Sequence, residues 1–345
     1  MTYSLEDFDF DLPPRQIASV ALAERSASRM LAVDKAAGTL DDSQFAQLPE
    51  FLRQGDVLVL NNTRVFPARL FGLTETGAKV EVFLVEESEP GVWTVLAKPG
   101  RRLSVGKSIL FSDDLSGNVV EKRGDGALVL RFECTGDLTD AFDRIGRTPL
   151  PPYIKRDRDV PDLDRERYQT VYARERGAIA APTAGLHFTP EILDQLRTRG
   201  VEIAEITLHV GYGTFEPVRA ENLADHRVSP ERFTMSQEAA ERLNLANAEG
   251  RRVIAVGTTT TRTLEYVATK FGSFRGDSGR ADLTILPGYE FKAIDGLLTN
   301  FHLPKSSLLV LVSTFGGYEL IMKAYKHAVA GEYRFYSYGD CMLIL

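Results

Sequence analysis

One stretch indicates the fold class: Val253-Ile-Ala-Val-Gly257-Thr258-Thr-Thr-Thr261-Arg262. Its first four residues are all apolar, which is typical of a strand buried on both faces of a sheet. The polar residues after Gly257 indicate a turn, and a helix is predicted to open behind the four threonines. A strand that passes through a polar turn into a helix is the repeating unit of α/β proteins, and it predicts that fold class here.

The segments on either side continue this alternation. Thr189-Pro190-Glu191 combines a capping hydroxyl, a first-turn proline and an acidic residue, which together predict a helix start. A strand is predicted over residues 201–210, where the apolar alternation slips once, so we expect a β-bulge near Ala204. Further elements are predicted as helices at 236–249 and 318–330 and as strands at 283–286 and 293–298. They describe a layered α/β domain.

The chain changes character near residue 64 and again near residue 150. Between these points lie short β-type runs separated by glycine-rich turns, at 69–73, 80–86, 93–97, 108–111, 118–122 and 127–132. Six short strands without a helical period predict a small antiparallel β-barrel. We therefore predict a discontinuous α/β domain, residues 1–63 and 153–345, interrupted by an inserted barrel domain, residues 64–152.

The composition excludes several classes of protein. The 345 residues contain only two cysteines, Cys134 and Cys341, which argues against a disulfide scaffold, a zinc site or an iron–sulfur cluster. The N-terminus is acidic, and the longest apolar stretch, Leu308 to Val312, is too short to span a bilayer. These features predict a cytoplasmic protein with no membrane span and no metal.

Two groups of basic residues could bind nucleic acid although the net charge is −7. One is the turn with Lys98, Arg101 and Arg102, and the other contains Lys155, Arg156 and Arg158. Acidic residues are interleaved with the second group, so charge alone favours a solvated loop over an RNA-binding face.

Four apolar runs end in polar, often glycine-containing turns, and ligands of open α/β sheets bind at such strand ends. For any one of these turns, a purely structural loop is a better explanation than a ligand site. Because four such turns occur in one domain, a ligand site becomes about as favoured as structural loops. Gly211-Tyr-Gly213 lacks the third glycine of a dinucleotide fingerprint. The candidate substrate-binding residues are Asn61, Asn62, Thr63, Arg64, Thr183, Gly185, Gly211, Gly213, Thr214, Thr258, Thr259, Arg262 and Asn300.

Three histidines lie in these turns or on the strands that enter them: His187, His209 and His302. A single histidine near a strand end is more often a structural group, but imidazole is also the side chain best suited to acid–base work near neutral pH. His187 precedes the strongly signalled helix start at Thr189, where a positive dipole end favours a neutral base. We rank His187 first as general base, His302 second and His209 third.

Longer motifs carry a resemblance that covers essentially the whole chain. They include Asn61-Asn-Thr-Arg-Val65, Pro149-Leu-Pro-Pro-Tyr-Ile154, Tyr168-Gln-Thr-Val-Tyr-Ala173, Ala181-Pro-Thr-Ala-Gly-Leu-His-Phe-Thr189, Arg262-Thr-Leu-Glu265, Thr299-Asn-Phe-His-Leu-Pro304 and Ser337-Tyr-Gly-Asp340. In these the chain resembles the S-adenosylmethionine:tRNA ribosyltransferase-isomerase family of queuosine biosynthesis. Ser229 stands where that family has a second histidine, which puts a catalytic role for this position in doubt, and Cys341 replaces the usual alanine.

The resemblance implies two substrates, S-adenosylmethionine and the anticodon arm of a tRNA that carries 7-aminomethyl-7-deazaguanine at the wobble position. With tRNA as a substrate, we predict that the anticodon arm contacts both basic groups: Lys98, Arg101, Arg102, Lys155, Arg156 and Arg158. The ribosyl moiety is transferred and isomerised, which gives epoxyqueuosine and releases adenine and methionine. No further cofactor is implied, and a monomer is expected. Asp340 and Glu265 are then candidate carboxylate partners of the three histidines. Two other classes remain open: an RNA-binding module without turnover, and an ordinary methyltransferase that would release S-adenosylhomocysteine.

Overall fold

The computed structural model describes residues 3–101, 103–151, 153–154, 161–211 and 222–345. Over these residues the chain forms a mixed α/β body and a closed antiparallel barrel, which confirms the predicted fold class. The strands are β1 Arg29–Asp34, β2 Thr39–Gln44, β3 Val57–Asn61, β4 Thr63–Val65, β5 Arg69–Thr74, β6 Lys79–Glu89, β7 Val92–Lys98, β8 Ser108–Ser112, β9 Leu115–Lys122, β10 Leu128–Cys134, β11 Glu175–Ala178, β12 Glu202–Leu208, β13 Glu231–Met235, β14 Val253–Val256, β15 Asp277–Ala281, β16 Gly296–Asn300 and β17 Cys341–Ile344. The α-helices are α1 Leu48–Phe51, α2 Leu138–Ile145, α3 Pro161–Arg167, α4 Pro190–Thr198, α5 Gln237–Ala248, α6 Thr258–Phe271, α7 Ser307–Gly316 and α8 Tyr318–Ala330.

The body is built on one large sheet with helices on both faces. Within the described residues the strand order is β15-β13-β12-β3-β14-β16-β17-β1-β2, and β12, β3, β14 and β16 run parallel at its centre. Alternate residues of β3 enter two different cores. Val57 and Val59 pack with residues from α5 to α8, whereas Leu58 and Leu60 pack with α1 and α4. Burial on both faces explains why the central strands are apolar throughout.

The barrel closes in the order β10-β7-β6-β5-β8-β9, and every ladder in it is antiparallel. Its interior is filled by alternate residues such as Leu70, Val82, Val95 and Leu130. It joins the body through apolar contact, since Ile179 of the body packs into the barrel core, and through an ion pair between Arg280 and Glu86 at 3.0 Å. The six-stranded barrel was predicted from the sequence, while the division at residues 64 and 152 stays a prediction.

Three local expectations were wrong. Helix α6 begins at Thr258 and includes the four threonines, because Gly257 with φ 90° makes the turn by itself. The β12 ladder with β3 runs from Glu202 to Ile206 without a register shift, so there is no bulge near Ala204. The apolar alternation slips because both faces of β12 are covered: Ile203 packs in one core while Ala204 packs in the other. Residues 283–286 form no strand, and the sheet edge is instead β15, a polar strand that pairs with β13.

Candidate active site

Three of the predicted polar turns meet around one narrow cavity with a volume of about 50 Å³. Thr183 follows β11, Val210 follows β12, and Thr258 lies in the first turn of α6. Hydroxyl, amide and imidazole groups supply the other polar lining: Tyr168, Thr259, Thr299, Asn300, His302, Tyr336 and Ser337. None of the described lining residues is a carboxylate, a lysine or an arginine. The cavity therefore offers neutral hydrogen-bonding groups beside apolar side chains.

The start of α6 forms one wall of this cavity. Gly257, directly before the helix, has φ 90°, which glycine adopts readily, and no side chain caps the helix end. Thr258 and Thr259 of the first turn both line the cavity. The first N–H groups of a helix have no partner within it and favour electronegative ligand atoms.

His187 does not line the cavity. Its Nε2 is 3.1 Å from Asn300 Oδ1, and its Nδ1 is 2.9 Å from Ser28 Oγ. The Asn300 amide is oriented because its Nδ2 donates to the Tyr336 carbonyl at 2.9 Å, so Oδ1 must accept from the imidazole. The tautomer is therefore Nε2–H, and Ser28 donates to Nδ1. Burial lowers the pKa of His187 to about 4, so the ring is neutral at pH 7 and holds Asn300 at the cavity.

His302 lines the cavity itself. Its Nε2 is 3.0 Å from Thr299 Oγ1, and its main-chain N–H donates to the Tyr325 hydroxyl at 2.9 Å. No partner for its Nδ1 is present among the residues that the structure describes. Burial lowers the pKa of His302 to about 3, so this imidazole is also neutral at pH 7.

His209 lies at a second opening, a cleft of about 390 Å³ between the barrel and the body. Its Nδ1 is 2.8 Å from Thr63 Oγ1, and burial, helped by the nearby Arg232, lowers its pKa to about 4. The cleft is charged: Glu86 and Asp125 of the barrel face Glu231, Arg232 and Arg280 of the body. Val210 lines both the cleft and the cavity, so the two spaces adjoin.

The two candidate carboxylates lie away from the histidines. Glu265 accepts the main-chain N–H groups of Lys292 and Ala293 at 2.9 Å each, and Asp340 accepts those of Arg29 and Arg334 at 3.0 and 2.8 Å. Burial raises the pKa of both carboxyl groups. Neither lines the cavity or the cleft, and these four hydrogen bonds anchor backbone segments.

Several candidate substrate-binding side chains are engaged within the protein. Asn61 donates to and accepts from the backbone of Leu208 at 2.9 and 3.0 Å, and Asn62 Nδ2 donates to Glu205 at 3.0 Å. These bonds join β3 to β12. Thr63 contacts His209, as described above, and Arg64 is exposed on β4.

The buried Arg262 forms an ion pair with Glu231 at 2.8 Å, and the other oxygen of that carboxylate accepts the N–H of Gly211 at 2.9 Å. Gly185 is buried where an added Cβ would lie 2.1 Å from the Tyr172 hydroxyl, so the site requires glycine for close approach. Gly213 and Thr214, like Arg102, Lys155, Arg156 and Arg158 of the basic groups, lie outside the described residues. Lys98 and Arg101 are exposed on the barrel, at the end of β7 and in the turn that follows.

The sequence reasoning missed Tyr168 and Tyr336, which line the cavity, and Ser28, which contacts His187. Tyr168 is only 1% exposed, and burial raises the pKa of its hydroxyl far above the usual value, which keeps it protonated. Ser28 fixes the His187 ring. Tyr336 has φ 76°, a strained value for a residue with a side chain, and its carbonyl orients Asn300. Tyr168 lies in one of the motifs that carried the family resemblance, and that motif could have marked it as a site residue. No sequence pattern marked Ser28.

Neither a metal site nor a membrane span emerges from the described part of the chain. No group of three or more His, Cys, Asp or Glu side chains there is arranged to hold a metal ion. No single helix there is long and apolar enough to cross a membrane, and α7 and α8 would suffice only together, across a bend of 118°.

Comparison with known proteins places the chain in one family. The model of the family described as "Queuosine biosynthesis protein" matches residues 5–344. Two S-adenosylmethionine:tRNA ribosyltransferase-isomerases, from Desulfitobacterium hafniense and Syntrophotalea carbinolica, are each 50% identical to this chain. In each case the match covers 99% of this chain and 99% of the relative. The crystal structure of an S-adenosylmethionine tRNA ribosyltransferase from Thermotoga maritima is similar with a TM-score of 0.57 and 35% identity, covering 98% of this chain and 100% of that one. The chain therefore belongs to the queuosine biosynthesis family of S-adenosylmethionine:tRNA ribosyltransferase-isomerases.

Proposed function

We propose that this protein transfers the ribosyl moiety of S-adenosylmethionine to the aminomethyl group of 7-aminomethyl-7-deazaguanine at the tRNA wobble position. The ribosyl group is isomerised in the reaction, which gives epoxyqueuosine and releases adenine and methionine. Relatives named S-adenosylmethionine:tRNA ribosyltransferase-isomerase match the chain over almost its full length, which supports the class of reaction. The observation that carries the proposal is the junction of a neutral, buried cavity with a charged cleft at Val210. Such a junction suits a reaction that joins two different substrates.

The donor's adenosyl part suits the cavity. Adenine offers ring nitrogens and an amino group, and the hydroxyls of Thr258 and Thr259 and the second lone pair of Asn300 Oδ1 can match them. At about 50 Å³ the cavity is smaller than the roughly 300–1,000 Å³ of typical ligand sites, so only part of the donor fits there. We place the modified base and its aminomethyl group in the adjoining cleft, where Asp125 offers a carboxylate while Glu86 and Glu231 are paired with Arg280 and Arg262.

The chemistry requires a base and an acid. The sulfonium group acidifies the adjacent 5′ carbon, and removal of that proton allows adenine to leave. As adenine leaves, the C4′–O4′ bond breaks, which gives an aldehyde at C1′ and an unsaturated sulfonium at C4′ and C5′. The neutral amine adds to C4′ and its surplus proton passes to solvent, and C5′ then bonds to C1′ to close the carbocycle. The alkoxide formed at C1′ displaces methionine from C5′ and closes the epoxide. His302 is the one imidazole among the described cavity residues, and its low pKa keeps it unprotonated and able to accept the proton. The Tyr168 hydroxyl stays protonated and can donate to the departing adenine.

This assignment reorders the histidines that the sequence analysis ranked. His187 has both ring nitrogens engaged by Ser28 and Asn300, so its free lone pair does not face the cavity. We propose that it positions Asn300, and that His209 acts on the tRNA side, in the cleft. Glu265 and Asp340 then serve as backbone anchors.

The products identify the reaction. The protein is incubated with S-adenosylmethionine and tRNA that carries the aminomethyl base, and the small products are separated by chromatography. Adenine and methionine in equal amounts, with a matching mass gain on the tRNA nucleoside, are the expected result. S-adenosylhomocysteine would indicate a methyltransferase, and tRNA binding without products would indicate an RNA-binding module; either result would overturn the proposal.

We also propose that the protein acts as a monomer in the cytoplasm, where its tRNA substrate is found. The cavity and the cleft are each lined by residues of a single chain. Light scattering during size-exclusion chromatography is expected to give the mass of one chain, 38.3 kDa.

A further inference from the structure

Apolar side chains lie exposed on the outer face of the barrel, away from both the cavity and the cleft. Phe71 and Leu73 on β5 are 44% and 45% exposed, and Leu110 on β8 is 53% exposed. Phe71 and Leu73 are two residues apart and share one face of the strand, and Leu73 pairs directly with Leu110 across the ladder. The three side chains therefore form one surface, the barrel patch, beside a groove of about 570 Å³.

The barrel does not need these side chains for its own packing. The residues that alternate with them, Leu70, Gly72 and Ile109, are buried. A Cβ on Gly72 would lie 2.7 Å from Ile109 Cγ2 and 2.8 Å from the Leu110 carbonyl oxygen, so glycine allows β5 and β8 to approach closely. Since closure depends on the inner residues, the exposed apolar groups are free to meet a partner.

The groove beside the barrel patch carries two lysines and two carboxylates, and one of the carboxylates is already paired with an arginine. Lys79 and Lys98 line the groove and are exposed, and neither has an ion-pair partner among the described residues. The Arg147 guanidinium lies 4.9 Å from the Phe71 ring centroid. The carboxylates at the groove are Glu81, which pairs with Arg69 at 2.7 Å, and Asp113.

An exposed aromatic ring beside lysines without ion-pair partners, here Phe71 with Lys79 and Lys98 in the described part of the chain, is the chemistry that binds unpaired nucleotides. Bases stack on aromatic faces whatever their identity, while lysines neutralise the phosphates. A protein partner is less favoured, because the cores of protein interfaces are depleted in lysine. We infer that the barrel patch binds an unpaired nucleotide of the substrate tRNA, with its base stacked on Phe71 and its phosphates beside Lys79 and Lys98. This inference rests on the proposed function, which supplies the tRNA.

The patch and the cleft are connected by one strand. β6 passes the groove at Glu81 and reaches the cleft at Val85 and Glu86. At about 3.4 Å per residue this separation is on the order of 15 Å. A single RNA arm whose wobble base enters the cleft therefore passes close to the barrel patch, and a second, non-reacting nucleotide can be held there.

The test measures tRNA binding by the full-length protein with Phe71 replaced by alanine or tryptophan. The loss of one stacked base is expected to raise the tRNA dissociation constant of Phe71→Ala about 5- to 150-fold. Phe71→Trp is expected to keep the wild-type affinity, because indole also stacks. Leu245→Ala is the matched control, since Leu245 is an equally exposed apolar residue on α5 of the body, at 53%. It is expected to bind tRNA normally.

Further readouts separate the possible failures. The KM for S-adenosylmethionine and the kcat at saturating tRNA are expected to stay unchanged in Phe71→Ala. The Lys79→Gln and Lys98→Gln variants are expected to flatten the salt dependence of tRNA binding by about 0.7–0.9 per charge. Unchanged tRNA affinity in Phe71→Ala would overturn the inference. If sedimentation showed that this variant had also lost a dimer formed by the wild-type protein, a second copy of the chain would be the partner that covers the patch. If wild-type protein binds tRNA through Phe71 but releases no adenine and methionine, the proposed function fails and the RNA surface stands.

Discussion

Replacement of His302 by glutamine tests the assignment of the base. Glutamine keeps a side chain that can bond to Thr299 Oγ1, which lies 3.0 Å from the imidazole, but it cannot accept a full proton. With a pKa of about 3, only about one His302 in ten thousand is protonated at pH 7, so the ring acts as a neutral acceptor. A base of such low pKa contributes at the lower end of the usual range of about 10²- to 10⁴-fold. We expect kcat to fall about a hundredfold, which corresponds to about 2.7 kcal/mol.

The assay is adenine release at saturating tRNA and S-adenosylmethionine, with His187→Gln as the matched variant. Because His187 acts through Asn300, its replacement is expected to raise the KM for S-adenosylmethionine more than it lowers kcat. Thermal melting of both variants checks that the fold is intact. In the wild-type protein His302 is expected to cause no loss of activity near pH 6.5, because its pKa of about 3 lies far below that pH.

The reasoning is refuted if His302→Gln keeps near-normal kcat. It is also refuted if His187→Gln abolishes kcat while substrate affinities are unchanged, which would restore the order that the sequence suggested. An acidic limb near pH 6.5 that disappears in His302→Gln would contradict the neutral state of that ring.

Three further predictions concern the site and its stability. Tyr168→Phe removes the protonated hydroxyl and is expected to slow adenine release at least tenfold while tRNA affinity stays the same; unchanged single-turnover rates would exclude it as the acid. Glu231→Ala leaves the buried Arg262 without its partner and should lower the free energy of unfolding by about 3–5 kcal/mol in urea titrations, while the double variant Glu231→Leu, Arg262→Met should recover most of the loss. Burial lowers the folded-state pKa of His187 to about 4 and that of His302 to about 3. As the pH falls below about 6.5, these histidines therefore bind protons in the unfolded chain but not in the folded chain. The free energy of unfolding should then fall by about 1.4 kcal/mol per pH unit for each histidine between pH 6 and 4, and His187→Gln with an unchanged slope would contradict this.

Local sequence patterns predicted much of the fold correctly. The six barrel strands follow from short β-type runs between glycine turns, and α8 was predicted over the residues it occupies, 318–330. The predicted helix start at Thr189 is also present, with the threonine side chain accepting the Ile192 N–H. In each case the deciding forces act within a few residues, through turn conformation, capping or periodic burial. The errors at Ala204 and at 283–286 arose where the burial of a residue depends on which distant element covers it.

The sequence by itself determined the family, the α/β class, the barrel and the three histidines worth testing. Only the tertiary structure decided which of them faces a cavity. His187 is turned away by Ser28 and Asn300, which lie 159 and 113 residues from it, and His302 is exposed to the cavity by its place after β16. Glu265 and Asp340 likewise meet backbone N–H groups brought to them by the fold. The direction of a side chain and its pKa depend on neighbours supplied by remote segments, and the local sequence does not contain those contacts.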